Sequence, residues 1–121
     1  MHGVWSWISQ ENQRHIVDFI DRHLEPGGLV YVTYNALPGW NGVAPLQRMI
    51  RTLAQLQDGR SDDRAAAALQ LIKRMAGAGA GVLLTEQITR LEEMCRKDEI
   101  AYVAHEYLNE HWQPCYQMDV A

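Results

Sequence analysis

Long apolar runs, a basic stripe and a cysteine framework are all missing from this 121-residue chain. No apolar stretch approaches the ~18 residues of a membrane-spanning helix, so a membrane is not an expected partner. The opening MHGVWSW lacks a basic region followed by an apolar stretch, so no signal peptide is expected. The net charge is −4, and Lys and Arg are interleaved with acids, as in RTLAQLQDGRSDDR. Nothing there tracks a phosphate backbone, and nucleic acid is not an expected partner either. Cys95 and Cys115 stand alone. Outside a secretory context they read as free thiols in a reducing compartment, which places the chain in the cytoplasm.

Strand-forming sequence is scarce as well. Leu29–Tyr34, LVYVTY, is the one strong strand signal, almost entirely β-branched or aromatic. Both of its faces are apolar, the habit of a central strand in a parallel sheet. One strand cannot satisfy its own backbone N–H and C=O groups. The chain is therefore expected to be a piece of a larger fold.

Most of the remaining chain carries helical periodicity. Ser9 has the chemistry of an N-cap, with Glu11 in the first turn, and Ile16, Val17, Ile20 and Leu24 recur at helical spacing. Pro26-Gly27-Gly28 predicts the stop. Asn35–Gly42 reads as a loop. Pro45 suits a first helical turn, ahead of a face made by Leu46, Met49, Ile50, Leu53 and Leu56. Ser61 is the expected cap of DDRAAAALQLIKRMA, and Thr85 of a helix carrying Ile88, Leu91 and Cys95. A last helix is expected over about Glu99–Asn109.

Several motifs invite a chemical reading. Gly77-Ala-Gly-Ala-Gly81 resembles a phosphate-cradling turn, but it follows a helix rather than a strand and reads as a helix terminator. His105 and His111 are six residues apart, about 600° around a helix, so they fall on opposite faces and make no metal pair. No nucleophile elbow or supported Ser/His/Asp or Cys/His pair is found. Trp5, Trp7, Tyr34 and Trp40 flank the strand ends. They form either core packing or an aromatic wall for a small ligand, since open α/β sheets bind ligands at the carboxyl ends of their strands.

Taken together, His2-Gly3-Val4-Trp5-Ser6-Trp7, Pro26-Gly27-Gly28, Tyr34-Asn35-Ala36-Leu37-Pro38-Gly39-Trp40 and His105-Glu106-Tyr107-Leu108-Asn109 resemble a family. It is the class I S-adenosylmethionine-dependent methyltransferases of bacteria that carry a methyltransferase regulatory domain. The resemblance implies an α/β fragment, mostly helical: the C-terminal part of a Rossmann-like sheet with one clear strand, or two, followed by a helical cap. Residues 1–42 would hold the end of a fourth strand, a helix and the fifth strand. Residues 43–121 would be a cap leading toward a regulatory domain. The substrate-pocket candidates it implies are His2, Trp5, Trp7, Tyr34, Asn35 and Trp40. No catalytic base is identified, although His2 lies near the implied site and an imidazole can transfer a proton.

The departures are as informative. The strand and glycine-rich turn that hold the cofactor in this family have no counterpart here. The first hypothesis is thus a fragment of a methyltransferase with an unknown methyl acceptor, inactive alone. The alternative is a small helical interaction module that pairs its strand with a partner, or self-associates through an exposed strand edge. S-adenosylmethionine is the cofactor of the resembled family, and none is expected for this chain. Titration calorimetry with S-adenosylmethionine is accordingly expected to show no micromolar one-to-one binding.

Overall fold

Helical spacing and capping chemistry predict most of what forms. In the computed structural model, which describes residues 1–96 and 99–120, five α-helices are found among the described residues. They are α1 (Gln10–His23), α2 (Ala44–Ala54), α3 (Ser61–Gly77), α4 (Thr85–Arg96) and α5 (Ile100–Leu108). Single 3₁₀ turns occupy Trp5–Trp7 and Gln117–Asp119. The chain divides into two compact units, Met1–Gly39 with Glu110–Ala121, and Trp40–Asn109.

The α/β fragment inferred from the sequence is corrected here. Among the described residues there is no strand and no sheet, so no Rossmann-like sheet is present. Residues 29–34 have strand composition, but a strand is defined by its neighbours. The first unit offers them single residues rather than a second strand. What remains is one isolated parallel bridge, between Ala36 and Cys115.

In the first unit, α1 starts where its cap predicts. The Ser9 hydroxyl accepts the Asn12 N–H at 3.2 Å. The helix ends at His23, and Gly27 (φ +86°) makes the turn that an L side chain would resist. No residue of α1 is fully buried. Ile16 and Ile20 are half-buried, whereas Val17 and Phe19 are exposed.

The second unit holds the well-packed core. α2 contributes Leu46, Ile50 and Ala54, and α3 contributes Ala65, Ala68, Leu69 and Ile72. Leu91 and Met94 come from α4, Val103 and Tyr107 from α5. The helical spacing of these residues places them on one stripe per helix. The small Ala65 and Ala68 lie on the stripe of α3, which packs against both α2 and α5. Leu56, expected on the α2 face, lies beyond the helix end and is 74% exposed. Ser61 begins α3 but does not cap it; Arg60 is the cap residue.

Polar side chains close the helix ends of this core. Gln47 donates its amide to the Tyr107 carbonyl at 2.8 Å, and Arg64 donates Nε to the Ala54 carbonyl at 3.0 Å. Both acceptors belong to the last turns of their helices, where carbonyls have no intrahelical donor. Gln87 accepts from the Leu84 N–H and donates to the Gly42 carbonyl, each at 3.1 Å. One buried amide thereby ties the start of α4 to the loop that precedes α2.

Leu69→Ala is expected to cost about 2–5 kcal/mol, because it leaves a cavity in this packed layer. Gly77→Ala at the end of α3 should instead stabilise by up to about 1 kcal/mol. Its new Cβ would meet nothing within 4 Å. Urea denaturation midpoints at unchanged slope are the check.

Candidate functional site

The first unit is organised around a short polar seam. A 3₁₀ turn over Trp5–Trp7 buries Ser6. Its hydroxyl accepts the Asn35 N–H at 2.7 Å, and its carbonyl accepts the Gln113 N–H at 3.0 Å. Asn35 is buried, and its carbonyl accepts from the Cys115 N–H at 3.1 Å. The Cys115 carbonyl then accepts from the Leu37 N–H at 2.9 Å. The entry side is fixed in the same way. The Met1 amino group donates to the Tyr31 carbonyl at 2.6 Å, and the Thr33 N–H donates to the Met1 carbonyl at 3.2 Å.

These bonds share one edge. Tyr31, Thr33, Asn35 and Leu37 all use backbone groups on Met1, Ser6 or Cys115. Bridging of this kind requires an extended chain, and in an extended chain alternate residues direct their backbone groups to opposite edges. Val30, Val32 and Tyr34 therefore face the other edge. Among the described residues, their backbone groups find no partner there. Beside the segment runs a mostly apolar groove of about 350 Å3, lined by Met1, Ile16, Phe19, Ile20, His23, Leu24, Leu29, Val30 and Tyr31. Leu29 is 96% exposed, Tyr31 67% and Phe19 62%. Large exposed apolar side chains thus lie next to a backbone edge that has no partner among the described residues.

The residues singled out from the sequence are distributed as follows. His2 is exposed, its Nδ1 3.0 Å from the Thr33 hydroxyl, which also accepts the Gly3 N–H at 2.8 Å. Gly3 has φ +61°, a turn that brings His2 back to Thr33. Trp5 accepts at its carbonyl from the Gln13 amide at 2.9 Å and lines a cavity of about 460 Å3 with Arg14, Asp18, Cys115 and Asp119. Trp7 lies near Gly3 and is half-buried, as is Tyr34. Trp40 belongs to the second unit, where its carbonyl accepts from Val43 and Ala44 and opens α2. The structure thus joins His2 to Thr33 and Asn35 to Ser6. Ser6 and Cys115, which hold the seam, escaped sequence reasoning. Ser6 sits between two tryptophans in a segment notable for its aromatics, and Cys115 is far away in sequence.

The titratable groups suit structure more than chemistry. Burial pushes the Cys115 thiol above its ordinary value, and the nearby Asp119 carboxylate adds to the effect. A protonated thiol is a weak nucleophile. Among the described residues no cluster of three or more His, Cys, Asp or Glu could hold a metal. In the second unit a cavity of about 380 Å3 is lined by Gly42, Val43, Leu46, Glu86, Gln87, Thr89, Arg90 and Glu93. Arg90 pairs with Glu93 at 3.4 Å, and burial raises the Tyr107 phenol while Arg90 opposes it. No helix among the described residues is long and apolar enough to cross a membrane.

The described residues form helices and an extended segment with one open edge, and the known proteins this chain is similar to are longer than it. The chain is 34% identical over 123 residues to "Uncharacterized protein sll1526" of Synechocystis sp. (strain ATCC 27184 / PCC 6803 / Kazusa), covering 100% of this chain and 24% of that protein. It is 30% identical over 119 residues to "Uncharacterized protein RP028" of Rickettsia prowazekii (strain Madrid E), covering 90% of this chain and 44% of that protein. A 49-residue stretch is 39% identical to "Uncharacterized protein RP789" of the same Rickettsia, covering 9% of that protein. The chain thus spans less than half the length of these curated relatives. No family model matches it, and no solved structure does. The methyltransferase resemblance is accordingly corrected. The sheet it requires is absent among the described residues, and the relatives' names carry no such activity.

The Cys115 environment gives a reactivity test with a definite sign. Because the neutral thiol is favoured, alkylation of Cys115 in a Cys95→Ala background should titrate above the ordinary thiol value of about 8.5. Asp119→Asn should lower that midpoint and speed alkylation at a given pH. Rate-against-pH profiles with iodoacetamide check both.

Proposed function

We propose that this chain is a polypeptide-binding module that receives a partner's extended segment along Val30–Tyr34. The observation that carries the reading is the asymmetry of the two backbone edges. One is held by Met1, Ser6 and Cys115; the other finds no partner among the described residues. An added strand would gain main-chain hydrogen bonds from Val30, Val32 and Tyr34. The groove between α1 and Leu29–Tyr31 would take alternate apolar side chains. The second unit, with its own closed core, serves as the stable body of the module. Two free thiols fit a reducing cytoplasm as its site of action.

Selection from a displayed random-peptide library tests this reading. The expected binders are short, uncharged and rich in β-branched and aromatic residues. Val32→Pro removes a donor from the open edge and should weaken them at least about fivefold, since one such bond is worth roughly 1 kcal/mol net. Enrichment of charged or helical peptides indifferent to Val32→Pro would overturn the proposal.

A further inference from the structure

The cavity of about 460 Å3 in the first unit carries charges that the fold leaves unused. Its size falls within the roughly 300–1,000 Å3 of small-ligand sites. Arg14 and Asp18 line it from α1, and Asp119 lines it from the 3₁₀ turn over Gln117–Asp119. The side chains of Arg14 and Asp18 make no hydrogen bond or ion pair among the described residues. They stand one helical turn apart, but in the poorer order for pairing: an acid ahead of a base is favoured on a helix, and here the base comes first. Both therefore remain available to a ligand.

The rest of the lining is held in place. The Gln13 amide donates to the Trp5 carbonyl at 2.9 Å. The Tyr116 N–H donates to the Asp119 carboxylate at 3.0 Å, which fixes that acid. The Cys115 backbone is engaged on both sides, by Asn35 and Leu37. Groups positioned in advance need little ordering when a ligand arrives. Trp5, Val17 and Pro114 add apolar surface, and an indole also attracts cations. The Cys115 thiol is held in its neutral form by burial and by Asp119, so it adds no charge.

The charges then select the ligand class. One guanidinium is set with two carboxylates. A ligand that answers all three carries one carboxylate and two cationic groups on a short apolar chain. A neutral amino acid leaves one acid unanswered, and a diamine leaves Arg14 unanswered. We propose that this cavity binds a free basic amino acid, its carboxylate on Arg14 and its two cationic groups on Asp18 and Asp119. None of the lining residues belongs to Val30–Tyr34, so the site is separate from the strand-addition edge.

L-lysine titrated into the full chain, followed by NMR, is the test. The three charged residues are exposed, so the expected Kd is only about 0.1–1 mM. Signals of Trp5 and Cys115 should move, and signals of the second unit should stay fixed. L-norleucine lacks the second cation and cadaverine lacks the carboxylate; each should bind at least about threefold more weakly. Arg14→Gln should weaken lysine by a similar factor without weakening cadaverine, whereas Asp18→Asn should weaken both. Unchanged signals from the second unit and from the buried Ser6 show that each variant is folded. Lysine that shifts nothing at concentrations well above the expected Kd would overturn the proposal. So would norleucine or cadaverine binding as tightly as lysine, or an Arg14→Gln chain that binds lysine like wild type.

Discussion

A buried or extended backbone must find partners for its N–H and C=O groups, and the first unit is arranged around that requirement. The stretch from Tyr31 to Leu37 has no sheet to supply partners. Single residues from distant parts of the chain do so instead: Met1 at one end, Ser6 in the middle and Cys115 at the other. The 3₁₀ turn at Trp5–Trp7, the burial of Ser6 and Asn35, and the return of the C-terminal residues to this unit serve the same edge. The alternate backbone groups on the opposite edge find no partner among the described residues. The functional proposal grows from that asymmetry.

The second unit meets the same requirement differently. Its helices satisfy their own backbones internally, so only the last turns need help. Gln47 and Arg64 supply it at the carbonyl ends of α5 and α2. Packing then follows from the stripes on α2, α3 and α5, with small alanines on the α3 stripe. One unit is complete within itself, while the other presents an edge and an exposed apolar face.

Much of the helical structure was legible in the residues. Ser9 caps α1, Pro26-Gly27-Gly28 ends it, Pro45 lies in the first turn of α2, and Gly77–Gly81 closes α3. These are local effects, set by side-chain chemistry within about one turn. The errors concern partners at a distance. LVYVTY has strand composition, and a sheet was inferred around it, yet the described residues form none. The likeness of short motifs to a methyltransferase carried the same error, since each motif is a local pattern and the sheet is not. Ile16, Val17, Ile20 and Leu24 recur at helical spacing, but Val17 and Leu24 remain exposed.

The sequence by itself determined where helices begin and end and which stripe of each core helix is apolar. It also set the strand-like character and neutral charge of residues 29–34. Those properties depend on neighbours a few positions away. Tertiary structure alone decided that Ser6 and Cys115 would hold the extended segment, that Asn35 would be buried, and which backbone edge would stay open. The seam bonds join residues from 29 up to 107 positions apart, as when Asn35 meets Ser6 and Gln113 meets Ser6. No local pattern encodes such pairings, because their energy exists only once the chain has folded back on itself.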